Sequence, residues 1–220
     1  MSSREESSFQ NLYKKMDATS KTRFNASGRL KLHSKCSTYI IVYISLSLIL
    51  VTLMQAYSLG SNIGNKAVGL FQAFSSIAVL VYSLLIDRNN YLSRSEKLYS
   101  CAAELGELKQ EVRPYLDETE HNAEMYMEFK GKYHKLLKFY ETHSNNDFSG
   151  DYYRAKLEMP ENYNIEGREW WAIKWKIYTL HIIDFIPYFI VACLLCSVLY
   201  WITFGEPLSI PLNQAKPTVG

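Results

Sequence analysis

Three long stretches of this chain carry no charge at all. Lys35 closes a basic segment, and the next charged residue is Lys66, 30 uncharged residues later. A second charge-free run of 20 residues separates Lys66 from Asp87, and a third, of 21 residues, separates Asp184 from Glu206. A bilayer core of roughly 30 Å needs about 20 apolar helical residues to cross it. No other constraint on the fold is as strong. Inside lipid every backbone polar group must be satisfied within the segment, which leaves a helix for runs of this length. The sequence therefore predicts an all-α membrane protein: a transmembrane helical hairpin, long coiled-coil-like cytoplasmic helices and a C-terminal transmembrane helix.

Charge sets the expected orientation. Residues 1–35 hold eight Lys and Arg against three acidic residues, net +5, whereas residues 87–181 hold 14 basic and 17 acidic residues, net −3. Near the span ends, Arg88, Arg94, Lys97, Arg168, Lys174 and Lys176 lie on one side, and only Lys66 and Lys216 on the other. Under the positive-inside rule this puts the N-terminus and residues 87–181 in the cytoplasm, with the hairpin and the C-terminal tail outside, in a cell inner membrane. The expected parts are a basic arm over 1–36, a transmembrane hairpin over 37–86 (spans about 38–57 and 67–86) and a cytoplasmic helical region over 87–143. A linker over 144–168, an interfacial helix plus third span over 169–204 and an outer tail over 205–220 complete the list. The polar lead before the first span is too long for a signal peptide.

Two apolar seams stand out in the cytoplasmic region. Leu98, Cys101, Leu105, Leu108 and Val112 alternate at spacings of three and four, as do Asn122, Tyr126, Phe129, Tyr133, Leu136 and Tyr140. That is the a/d pattern of helices that bury a stripe against one another, and outside the membrane water drives such burial. Leu98, Leu105, Leu108, Val112, Tyr126, Phe129, Tyr133 and Leu136 are thus the expected self-association seam of a homo-oligomer. Arg113-Pro114 should break the helix between the seams, with Asp117 and Glu120 starting the next. Gly150, Pro160 and Gly167 mark the linker. Trp170, Trp171, Trp175 and Tyr178, with Lys174 and Lys176, suggest headgroup anchoring before the third span.

Within the spans, Thr38, Ser45 and Thr52 recur every seven residues with Gln55 on the same face, and Gln72, Ser76 and Ser83 form a second polar stripe. Such stripes should face protein or water. They serve either as hydrogen-bonding glue between helices or as a pore lining. Catalytic chemistry has no visible carrier. The five histidines are scattered, and no hydrolase, zincin or phosphate-loop motif is present. Cys193-x-x-Cys196 lies inside a span, where thiolate chemistry is suppressed. No enzyme activity, metal or cofactor is expected. His181 and Asp184, spaced i,i+3 at the mouth of the third span, read first as an interfacial pair bordering headgroups, with a proton- or voltage-sensitive latch as the sharper alternative.

One further segment carries information. The run Arg23-Phe24-Asn25-Ala26-Ser27-x-Arg29-Leu30 resembles the segment leading into the first span of SLATT-domain proteins, prokaryotic two-span effectors associated with nucleotide-signalling and other defence cassettes. The order of parts is similar too: basic arm, two spans with a short hairpin, and a long helix containing Glu104-Leu105-x-x-Leu108, together covering about residues 8–140. The third span looks like the family variant with a C-terminal membrane helix. The resemblance marks Arg23, Phe24, Asn25, Ala26, Arg29 and Leu30 as family-motif residues. It implies a membrane effector, thought to oligomerise into pores and cause cell suicide after infection, with a separate cytoplasmic sensor or nucleotide-signalling protein as partner. No direct nucleic-acid contact is implied. The bland alternative is a non-conducting scaffold that docks a cytoplasmic partner.

Overall fold

A computed structural model describes residues 8–117, 123–140, 145–160, 162, 163 and 165–205. Glu120, Asn122 and tail residues 206–220 lie outside the described residues. Six helices follow in order: α1 (Ser8–Ala56), α2 (Lys66–Asn89), α3 (Tyr91–Val112), α4 (Ala123–Phe139), α5 (Asn145–Leu157) and α6 (Arg168–Phe204). Among the described residues there is no strand. Three stretches, Ser8–Ala56, Lys66–Leu116 and Arg168–Phe204, are long and apolar enough to cross a membrane. The helix breaks fall at residues suited to them. Asn90 adopts φ 46°, ψ 44° between α2 and α3, a left-handed conformation that Asn tolerates better than most side chains. Pro114 sits in the 3-10 turn Arg113–Asp117 that ends α3, as its missing N–H requires.

The chain divides into two compact units, Met1–Ser37 with Ile86–Pro187 and Thr38–Leu85 with Tyr188–Gly220. In the first unit, the N-terminal part of α1 runs antiparallel to α3. Phe9, Leu12 and Met16 of α1 share a core with Leu108, Val112 and Phe129, and Ala26 and Leu30 cluster with Leu98. Phe9 stacks on Tyr115 at 5.7 Å and meets Tyr126 edge-on at 5.7 Å. Both α1 sets advance by three and four residues, which is how a helix keeps one face on a partner.

This arrangement corrects the partner expected for the seams within one chain: Leu98–Val112 and Tyr126–Leu136 pack against α1, with Tyr126, Tyr133 and Leu136 only partly covered. Leu105 and Val112 are fully buried, and Tyr126, Tyr133 and Leu136 pack partly buried against the same core. The periodicity marks burial, but it cannot name the partner.

A second correction concerns the polar stretch after α4, where composition predicts a loop-rich linker. Residues 145–157 are helical. Ala155 and Met159 are buried, and Asp151 is buried on Arg29. Tertiary contacts of this kind override weak local propensity. The chain then turns through Gly167, whose φ of +61° suits glycine, into α6.

The second unit has a small core of Val51, Val68 and Ile202, supported by Met54, Ile63 and Val198. Most of its other large apolar side chains, including Leu46, Ile49, Leu70, Phe74, Leu80 and Leu194, point outward. In water such a surface would be a liability, whereas in hydrocarbon it is the expected solvent-facing side. Its polar contacts gather at one end. The hairpin loop between α1 and α2 caps the C-terminus of α6: the Ser61 N–H donates to Thr203 O (3.3 Å) and the Asn62 N–H to Ile202 O (3.1 Å). The Asn62 amide Nδ2 donates to Trp201 O (2.9 Å) and Gly205 O (2.8 Å). Carbonyls in the last turn of a helix lack the full set of intrahelical donors, and of these only Trp201 O also accepts the Gly205 N–H, at 3.0 Å. Gly60 (φ +107°) makes the approach possible, since a Cβ there would lie 2.8 Å from Ile202 O. Within this unit, then, the end of α6 and the α1–α2 hairpin lie at the same end.

Candidate functional site

Two sets of residues are candidates, one in each unit. In the second unit the polar stripes partly meet. Gln72 Nε2 of α2 donates to Gln55 Oε1 (3.2 Å) and to Thr52 Oγ1 (3.4 Å) of α1. This links the stripes near the hairpin end. The other hydroxyls are satisfied locally: Thr52 bonds Leu48 O, Ser76 bonds Gln72 O and Ser83 bonds Leu80 O, at 2.8–2.9 Å. Thr38, Thr52, Ser76 and Ser83 are exposed, and Ser45 is half-buried. The face of α1 that is buried in the unit is Ile44, Ser47 and Val51, and α2 contributes Val68 and Ser75. That face is rotated by one residue from the 38/45/52 stripe. Sequence reasoning missed Ser47 and Ser75. The available signal was the spacing of three and four residues that sets Ser47 between Ile44 and Val51, and of seven between Val68 and Ser75, since small residues on such a face let helices approach closely.

In the first unit, the family-motif residues form two rows on α1. One row faces α3. Arg23 is buried and donates through an Nη hydrogen to the Cys101 sulfur, while its Nε has no partner among the described residues. Ser20 bonds Ala102 O (2.7 Å), and Ser27 and Ser95 share a hydroxyl contact at 3.1 Å, with Ser95 also bonding Ser27 O. Ala26 and Leu30 pack on Leu98. Phe24, at the margin of this row, meets Tyr99 edge-on at 5.3 Å. Burial pushes the Cys101 thiol up, against the pull of Arg23. The thiol is therefore a neutral acceptor for the guanidinium, not a reactive thiolate.

The second row, at four-residue spacing, faces α5 and α6. The Asn25 amide Nδ2 donates to Glu158 Oε2 (3.2 Å). Arg29 donates from Nε (3.2 Å) and Nη2 (3.1 Å) to Asp151 Oδ2, and its other Nη lies 3.8 Å from Asp184. His33 lies 4.0 Å from Asp184 and stacks on Phe185 at 4.4 Å. Burial raises the Asp151 carboxyl above the usual carboxylate range, with the Arg29 guanidinium opposing that rise. Asp184 thus takes its charged partners from α1 and not from His181, as the latch alternative would need. Asp184 turns toward Arg29 and His33, and the His181 ring lies 5.0 Å from Phe185. Intrahelical spacing could not show that α1 supplies two cationic partners for this carboxylate.

A third contact ties α4 to α3. The Tyr140 hydroxyl donates to Glu104 Oε1, and this bond raises the phenol to about 12. Both candidate sets read as positioning and packing groups, with no nucleophile set beside a base.

No curated protein and no solved structure matches the chain. A family model does match, over residues 5–202, which includes the motif rows, the hairpin and most of α6. The chain belongs to the SMODS and SLOG-associating 2TM effector domain family 5, as an all-α membrane protein of that effector family.

Proposed function

We propose that this protein is the membrane effector of a prokaryotic anti-phage defence system. A separate sensor triggers it, it oligomerises, and it opens a pore or otherwise breaches the membrane so that the infected cell dies. The observation that carries this reading is the family match across 5–202 in a chain with three membrane-length helices. In this reading the N-terminus and the 87–181 segment are cytoplasmic, and the hairpin and the end of α6 are outside, following the charge asymmetry. The shared end of hairpin and α6 in the second unit supports that topology. The passage would form between copies, where the exposed Thr38, Thr52, Ser76 and Ser83 hydroxyls wet a lining that would otherwise tend to dewet. The protein itself would catalyse no reaction.

The second reading is a non-conducting scaffold. The Gln72 bonds to Gln55 and Thr52 favour it, because they use polar groups as glue between helices of one chain. A membrane-potential dye on cells induced to express the chain separates the two. The effector reading predicts depolarisation at a modest expression level. An unchanged potential, with the protein present in the membrane and its trigger system co-expressed, overturns it.

A further inference from the structure

The first turns of α6 have two unlike faces. Trp170, Ile173, Ile177, Leu180 and Asp184 are partly covered by the first unit. Asp184 meets Arg29 and His33, and a side chain at Gly150 would meet Leu180 at 3.4 Å. The opposite face holds Trp171, Trp175, Tyr178 and Ile182 at spacings of four, three and four. They are 59%, 70%, 57% and 60% exposed. The sequence alone assigns these aromatic groups to the headgroup layer, and the length of α6 argues against that.

The charge-free run 185–205 is 21 residues, about 31 Å of helix, and fills a hydrocarbon core of about 30 Å by itself. Asp184 thus marks the edge of the core. From Asp184 at 1.5 Å per residue, Tyr178 lies about 9 Å back, Trp175 about 14 Å and Trp171 about 20 Å. The headgroup layer is only roughly 5–8 Å deep on each side. The usual tilt near 20° shortens these distances by only a few per cent. Two of the most exposed indoles in the chain therefore stand in water, where burial against another surface is favourable.

We propose that this face of α6 is where a second copy of the chain docks, in parallel. The spacing is the a/d alternation of helices that pack in parallel. A partner that covers it must follow α6 into the bilayer from the same side, and another copy does so by construction. Charge is compatible as well. With Trp171 and Tyr178 at d and Trp175 and Ile182 at a, the flanking e positions are Ala172 and Thr179 and the g positions are Lys174 and His181. A g residue of one helix faces e of the other, so Lys174 meets a neutral neighbour. The Lys174 ammonium flanks the seam, 4.4 Å from the Trp170 ring and 5.7 Å from the Trp171 ring. Lys176 turns toward the first unit, donating to the Tyr153 hydroxyl at 3.0 Å and lying over its ring at 4.2 Å. The contact gives the proposed effector its assembly surface, but it does not depend on conduction.

The test uses the full-length chain in native membranes, with no trigger and no conductance readout, so it stands or falls separately from the pore reading. Tyr178→Cys and Lys176→Cys are each oxidised with a copper catalyst beside the parent, which controls for the four native cysteines. Tyr178→Cys should give a covalent dimer at twice the chain mass, several-fold above parent, and Lys176→Cys should not. Adding Trp175→Ala should remove most of that dimer. A fluorophore on the thiol introduced at position 178 reads the alternative if the substitution itself weakens the seam. It should be protected from headgroup-nitroxide lipids. Equal cross-linking at both positions overturns the proposal, as does no dimer together with quenching by those lipids. An adduct of another mass overturns it in favour of a different protein.

Discussion

The two units solve the burial problem in opposite solvents. In the first, α1 and α3 hide Met16, Leu105 and Val112 completely, and the charged groups buried there have partners, Asp17 on Lys109 and Arg23 on Cys101. In the second, Leu70 and Phe74 face outward while Ser47, Asn62 and Ser75 are buried. Apolar side chains supply the cohesion where water is outside. Where lipid is outside, close approach of small residues and satisfied carbonyls take over. The lesson is that identical residue types carry different information in the two places. A buried leucine is decisive in the first unit and an outward-facing one is replaceable in the second, whereas a buried asparagine at the α6 terminus is structural.

The largest test of this contrast is Arg29→Ala. It strands the buried Asp151 carboxylate, and breaking a buried pair costs about 3–5 kcal/mol. Hydrogen exchange over α5 should accelerate strongly. Asp151 already titrates above its ordinary range because of burial, and losing Arg29 moves it further up. A carboxyl whose folded pKa is raised destabilises the fold most above that pKa, and the penalty disappears below its unfolded value. The defect should therefore be worst at high pH and shrink on acidification. A defect that deepened as pH fell would contradict this assignment.

Next, Leu105→Ala should cost about 2–5 kcal/mol through the cavity it leaves. Leu70→Ala, on the outward face of the second unit, should stay within about 0.5 kcal/mol. Thermal melts in nanodiscs give both values, and equal losses would break the contrast between units. A smaller effect is expected for Asn62→Ala, which removes the two side-chain bonds to Trp201 O and Gly205 O, each worth about 0.5–1.5 kcal/mol. It should show as faster exchange in the last turn of α6 with the first unit unchanged. The smallest is Ser76→Ala with Ser83→Ala. Their hydroxyls bond only their own helix, so folding should be unaffected, and any loss of conduction then reports a wetted path.

Much of this fold was legible in the chain. Charge-free runs expose the spans because lipid punishes charge, and Pro114 marks the end of α3 because proline cannot donate. The a/d rows at Leu98–Val112 and Tyr126–Leu136 mark burial correctly. What they could not disclose was the partner. α1 covers both rows through contacts that span about a hundred residues of sequence, and no local spacing encodes those. The same limit explains Asp184, whose cationic neighbours Arg29 and His33 are remote in sequence, and α5, whose polar composition hides a helix held by Asp151 and Ala155. In the spans, hydroxyl periodicity pointed one residue round α1 from the buried face, because serine is equally at home packed in a helix interface or wetted.

The central claim is that this family member breaches the membrane it spans. The direct measurement is membrane potential over time in cells induced to express the chain together with its trigger system, read with a potential-sensitive dye at matched membrane expression. The account predicts depolarisation by the parent and its loss in the Ser45→Ala, Thr52→Val, Ser76→Ala, Ser83→Ala variant, with assembly retained. A potential that stays constant for the parent would contradict the claim, and depolarisation by the quadruple variant equal to the parent would remove these hydroxyls from the path.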